Sequence, residues 1–146
     1  SIRKLAAFCG ITFDDALHAA ASGKLEFDIG LSILYWRKLK GALLRVPCYG
    51  VINFHPAPLP DFKGVGGYNL GILEGHSEWG VSAHYMDEDI DTGPIIAVDR
   101  FPIDCERETA RSLEVRSMEV LEANPVEGTL AEQTANVHKV FLCCSG

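Results

Sequence analysis

The run Val51-Ile52-Asn53-Phe54-His55, followed at once by Pro56-Ala57-Pro58-Leu59-Pro60, constrains this chain more than any other stretch. The first five residues read as a strand. The prolines cannot donate to a ladder or continue a helix, so the strand must stop at His55. Strand side chains alternate between faces, and Asn53 and His55, two residues apart, therefore share one face at the strand's end. The segment from Pro56 to Gly67 is then a rigid loop. Its glycines at 64, 66 and 67 allow close backbone approach, without the spacing of a dinucleotide or phosphate-cradling fingerprint. Whether this loop is a structural turn or lines a ligand stays open from the residues alone.

The rest of the chain alternates between the two periods. Ile2 to Phe8 has helical spacing, with Gly10 as its stop, and Asp14 is a candidate N-cap for a second short helix over Ala16 to Ala21. Asp28 to Leu34 is an apolar run without alternation, which suits a strand covered on both faces. Leu39 to Leu44 reads as a short helix before Pro47, and Tyr68 to Leu73 as a helix closed by Gly75. Gly80 to Met86 sets Val81, Ala83 and Tyr85 against Ser82, His84 and Met86, a strand with two different faces. Asp87 to Gly93 is an acidic loop, and Pro94 to Phe101 is a strand that pairs back on residues 80 to 86 as a hairpin. Arg107 to Glu122 has helical spacing and stops before Asn124-Pro125. Val126 to Asn136 lacks a clear period, and Val137 to Cys143 reads as a lone strand. Alternating strands and helices predict an α/β sheet, whose ligands bind beyond the carboxyl ends of its strands.

The length of 146 residues suits one domain. A formal net charge of −7 offers no basic footprint for nucleic acid or an anionic membrane. No apolar run approaches the roughly 20 residues of a bilayer span, and Ser1-Ile2-Arg3-Lys4 lacks the apolar core of a signal peptide, so a cytoplasmic setting is expected. The five cysteines, at 9, 48, 105, 143 and 144, have no metal or redox spacing and read as reduced thiols.

The chemistry lies in three groups. Asn53 supplies an amide donor, His55 an imidazole, and Asp91, in the loop Asp91-Thr92-Gly93-Pro94, a carboxylate that can reach the same rim. Moving an acyl group between nitrogens requires an oxyanion donor, a proton acceptor for the attacking amine and a proton for the leaving nitrogen. These groups meet those needs without a covalent nucleophile. The alternative is a satisfied polar strand edge. His84, on the polar face of its strand, is either structural or supports the neighbouring groups, and His18, His76 and His138 read as surface residues.

Gly50-Val51-Ile52-Asn53-Phe54-His55-Pro56-Ala57-Pro58-Leu59-Pro60-Asp61-Phe62-Lys63-Gly64 resembles the signature loop of the folate-dependent formyltransferases, and Asp87-Glu88-Asp89-Ile90-Asp91-Thr92-Gly93-Pro94-Ile95-Ile96 resembles their second motif. The similarity covers residues 28 to 122. It implies a Rossmann-like formyltransferase sheet with flanking helices, Asn53, His55 and Asp91 as the catalytic trio, 10-formyltetrahydrofolate as co-substrate and no metal. It places the folate pocket at Trp36, Arg37, Lys38 and Leu39 and at Met86, Asp87, Glu88, Asp89 and onward to Asp91. Trp36 and Leu39 have a plain core reading as well.

Family members begin with a nucleotide-binding-like half, and its first strands are not recognisable before Ser1. The expected organisation is therefore a catalytic domain over residues 1–122, short at its N-terminus, and a tail over 123–146 of uncertain structure. Three functions follow from the resemblance. One is an N-formyltransferase for a small or nucleotide-linked amine, with an amino sugar preferred over methionyl-tRNA or glycinamide ribonucleotide. The second is a hydrolase delivering the formyl group to water. The third is a catalytically silent remnant that binds folate or a partner protein.

Overall fold

The computed structural model describes residues 13–33, 35, 38–39, 41–123 and 140–144. The Ile2–Phe8 helix, the Val126–Asn136 segment, Trp36 and Arg37 lie outside the described residues. The elements run α1 Phe13–Ala21, β1 Ile29–Ile33, α2 Gly41–Leu44, β2 Val51–His55, α3 Gly67–Leu73, β3 Glu78–Tyr85, β4 Ile95–Pro102, α4 Ala110–Ala123 and β5 Val140–Cys144. The strands form one mixed sheet in the order β4-β3-β2-β1-β5. β1 is parallel to β2 and β5, while β2, β3 and β4 are successively antiparallel. This is the α/β architecture the alternation implies, with β2 ending at His55 as its prolines require.

Three differences have physical causes. The last strand is not alone: Val140 to Cys144 pairs with Ile29 to Ile33 across a sheet that local periodicity cannot see. α4 starts at Ala110, because Thr109 caps it. The Ser112 N–H donates to Thr109 Oγ1 at 3.1 Å and the Thr109 N–H to Ser112 Oγ at 2.8 Å, a reciprocal box that starts the helix there, and in the turn before it Asp104 O accepts from the Arg107 and Glu108 N–H groups. Finally, the alternating face of β3 is not half-solvated, since Ser82 and His84 are both buried. Strand alternation reports polarity, and here both faces are covered.

One sheet face is apolar. Ile29, Leu31, Ile52, Phe54 and Ala83 pack together, with Leu121 of α4 against them. On the other face Val51 joins Leu25, Phe27, Leu39 and Leu43 at one end, whereas Ser32, Asn53, His55, Ser82 and His84 carry buried polar groups. The loop after β2 covers these groups and is tied down at two points. The Trp79 indole, wholly buried, donates from Nε1 to Pro56 O at 3.2 Å and lies 4.7 Å from the Phe62 ring. Ser82 Oγ accepts from the Leu59 N–H at 2.9 Å and donates to Ala57 O at 2.8 Å. α3 sits directly on the indole, because a Cβ at Gly71 would lie 2.3 Å from the Trp79 ring.

Trp79 thus carries both packing and a loop anchor. Trp79→Ala is expected to cost about 3–5 kcal/mol, the range for a large aromatic removed from a core, read as the loss in unfolding free energy from urea titration.

Candidate active site

β2 delivers Asn53 and His55 side by side on the polar face, and Asp91 meets them from the loop between β3 and β4. Two backbone features bring it there. Asp91 has φ 53°, a left-handed conformation uncommon outside glycine, and a Cβ at Gly93 would lie 1.8 Å from Tyr85 O, so only glycine passes that strand. The loop is braced by Asp87, whose Oδ1 accepts from Thr92 Oγ1 at 2.6 Å and from the Asp89 N–H at 3.0 Å. The Thr92 hydroxyl holds the Asp87 carboxyl below the usual carboxylate range.

Asp91 is the centre of the cluster. Its Oδ2 accepts from the Gly64 N–H at 2.8 Å and lies 3.5 Å from His55 Nδ1, and its Oδ1 lies 3.4 Å from His84 Nε2 and 3.5 Å from Asn53 Nδ2. Burial raises this carboxyl, but contact with His84, the Gly64 N–H and the His55 imidazole outweigh it, and the net shift is downward. His55 Nε2 donates to Phe62 O at 2.7 Å. Burial lowers the affinity of this ring for a second proton, more than Asp91 and the Phe62 carbonyl raise it. His84 Nδ1 lies 2.9 Å from Tyr85 O, so it carries the hydrogen. In the neutral ring Nε2 is then an acceptor, met by Asn53 Nδ2 at 3.1 Å. The 3.4 Å approach of the same Nε2 to Asp91 is the weaker contact, since one nitrogen cannot accept and donate at once. The second N–H of Asn53 reaches Asp91 only at 3.5 Å, and it is the proton left for a ligand oxygen.

The trio forms the floor of a cleft of about 450 Å³. Tyr35, Leu39 and Met86 line one part, the glycine-rich loop from Gly64 to Gly67 another, and Tyr68, Glu114 and Met118 a third. Burial pushes the Tyr68 phenol up to about 12, so it stays a hydroxyl.

The formyl transferase family model matches residues 13–126. The chain belongs to that family. The formyl transferase relatives include the methionyl-tRNA formyltransferase of Sorangium cellulosum, 42% identical over 76 residues, which are 52% of this chain and 24% of that protein. The chain therefore spans about a quarter of the length of such a relative. Among solved structures, phosphoribosylglycinamide formyltransferase from Bacillus halodurans superposes with a TM-score of 0.60 at 32% identity, covering 71% of this chain and 54% of that one. A formyltetrahydrofolate deformylase from Pseudomonas syringae has a TM-score of 0.61 at 28% identity, covering 75% and 38%.

Measured against the motifs, the structure gathers Asn53, His55 and Asp91 at one point. Of the expected folate contacts, Lys38, Leu39, Met86, Asp87 and Asp89 line the cleft. Glu88 is not among the lining residues, and its carboxylate faces Arg45 at 3.5 Å. Lys38 pairs with Asp89 at 3.5 Å across the mouth. The Gly64 N–H and the Phe62 carbonyl, partners of the trio, are backbone groups and leave no mark in residue type. His84 enters by register: it stands opposite Asn53 in the β2–β3 ladder. No described helix is long and apolar enough to cross a membrane.

The direction of the His55 shift gives a pH test. Because its folded affinity for a proton is lowered, protonation favours the unfolded chain. This residue's contribution to stability is complete above its ordinary value of 6.5 and is lost as pH falls below it. Asp91, also lowered, keeps its contribution above 3.8 and does not enter that window. The parent is expected to lose more urea resistance than His55→Gln between about pH 7 and about pH 5. Parallel losses in the two proteins contradict the assignment.

Proposed function

We propose that this chain carries out N-formyl transfer, moving the formyl group of 10-formyltetrahydrofolate to a primary amine. The observation that supports this most is the contact of Asn53, His55 and Asp91 at the cleft floor, in a member of the formyl transferase family. Bound there, the folate supplies an acyl carbon already attached to nitrogen, so no enzyme nucleophile is required. The residues present fit such a molecule. Leu39 and Met86 offer an apolar wall for flat rings, Lys38 stands at the mouth as a cation for a glutamate carboxylate, and Asn53 Oδ1, buried, has no hydrogen-bond partner among the described residues.

The roles follow from the geometry. The second N–H of Asn53, held only at 3.5 Å by Asp91, stabilises the oxyanion of the tetrahedral intermediate. His55, kept neutral by burial and with Nε2–H engaged by Phe62 O, presents Nδ1 as the base that takes the amine proton. The imidazolium then formed has Asp91 on one side and the Phe62 carbonyl on the other. The same proton returns to the leaving nitrogen.

The acceptor proposed is an amine on a small or nucleotide-linked molecule, with an amino sugar first. Asp87 and Asp89 at the cleft and Glu114 at its far end suit an ammonium and hydroxyl-bearing acceptor, and they disfavour docking of a polyanionic backbone. Methionyl-tRNA, named for the curated relative, and glycinamide ribonucleotide, named for the solved one, follow. The 28% identity to a formyltetrahydrofolate deformylase supports a second reading, transfer to water with the same three residues.

Incubation with 10-formyltetrahydrofolate and a panel of amines, following tetrahydrofolate, tests both readings: amine-dependent release supports transfer, and equal formate release without amine selects hydrolysis. Asn53→Ala and His55→Ala are each expected to lower kcat about 10²–10³-fold with folate affinity little changed, as where single oxyanion donors have been removed. Unchanged turnover in either variant refutes the roles.

A further inference from the structure

The row of polar groups across the sheet extends one strand beyond the catalytic trio. Ser32, in the middle of β1, is paired with Asn53 of β2, which is paired with His84 of β3, so the three side chains stand in line on one face. Ser32 has no exposed surface, and its hydroxyl has no hydrogen-bond partner among the described residues. The same is true of one atom beside it, Asn53 Oδ1. Buried polar atoms without partners are rare, because each forgoes its bonds to water, and two on adjacent strands of one row call for a shared explanation. Neighbouring strands lie about 4.8 Å apart, a separation that one water spans by accepting from a hydroxyl and donating to a carbonyl oxygen.

We propose that Ser32 is a positioning residue for the formyl-transfer site: its hydroxyl, through one bridging water, holds the carbonyl end of the Asn53 amide. The inference rests on the function proposed above and deepens it. An amide can flip, and its orientation decides whether an N–H or a lone pair meets the oxyanion. His84 secures the nitrogen end from one side, because its Nε2, with Nδ1–H bonded to Tyr85 O, accepts from Asn53 Nδ2. Ser32 secures the oxygen end from the other. Together they leave the second N–H of Asn53 as the one turned to the cleft, and Ser32, which is not among the residues lining the cleft, acts through that amide.

Two measurements on the chain test this. In a ¹⁵N spectrum the Asn53 side-chain amide, identified by its loss in Asn53→Ala, is expected to exchange with solvent about tenfold faster in Ser32→Ala than in the parent, the upper range for one neutral hydrogen bond, and to recover in Ser32→Thr. In turnover, Ser32→Ala is expected to lower kcat about tenfold with folate KM unchanged, and to cause no further loss in the Asn53→Ala background, since it acts only through that amide. Unchanged exchange in Ser32→Ala overturns the proposal. So does a kcat loss of equal size in both backgrounds, which marks a structural effect. Faster exchange in a chain that transfers no formyl group to any amine or to water overturns the reaction assigned to the site and leaves the hold of Ser32 on Asn53 standing.

Discussion

A carboxylate at the floor of a cleft is costly to bury unless its lone pairs are met, and Asp91 has partners from three parts of the fold. The Gly64 N–H from the loop after β2 donates to it directly, while His55 and Asn53 from the end of β2 and His84 from β3 stand within 3.5 Å of it. The left-handed backbone at Asp91 is the strain accepted to bring it there, and Gly93 is the residue that makes the approach sterically feasible. Every other feature of the site is arranged around this carboxylate. Remove it, and Asn53 loses one neighbour, the Gly64 N–H loses its acceptor, and His55 loses the charge that would stabilise a proton.

The two faces of the sheet divide the labour. The apolar face packs on α4 and supplies stability by burying Ile29, Leu31, Ile52 and Phe54. The other face places Ser32, Asn53, His55, Ser82 and His84 where a core would normally put aliphatic side chains. Those groups are tolerated because the proline-rich loop closes over them while being pinned by Trp79 and Ser82. Ser82 is wholly structural in this scheme: its hydroxyl is fully used in loop anchoring, whereas the hydroxyl of Ser32, on the same face, has no hydrogen-bond partner among the described residues.

What could be read from residues alone follows this division. β2 was legible to the residue because proline chemistry is local, and the β3–β4 hairpin because its alternation and its acidic turn are local too. Asn53 and His55 were legible as a pair because strand period is fixed at two. The meeting with Asp91 was an expectation of reach, and only the ladder register turned it into a contact. The place of His84 depended on the same register, since nothing in residues 80 to 86 distinguishes a buried polar face from a solvated one. Pairing of Val140–Cys144 with β1 is more distant still, across more than a hundred residues of sequence, and no local pattern encodes it. Backbone partners such as the Phe62 carbonyl carry no residue-type signal at all.

The direction of the His55 shift favours one of its two conceivable roles in the proposed reaction. A resting imidazolium would be a ready electrostatic partner for an oxyanion, but burial works against that charge and the ring is held neutral despite the neighbouring carboxylate. With Nε2–H committed to Phe62 O, the single lone pair of the neutral ring is on Nδ1, facing Asp91 across 3.5 Å. That orientation is unfavourable at rest, lone pair toward carboxylate, and becomes favourable once a proton arrives. The site is thus poised so that proton uptake at Nδ1 relieves a repulsion and creates an ion pair, which is the behaviour of a general base matched to its moment of use. In the proposed reaction oxyanion stabilisation is left to Asn53, whose neutral amide needs no proton to serve.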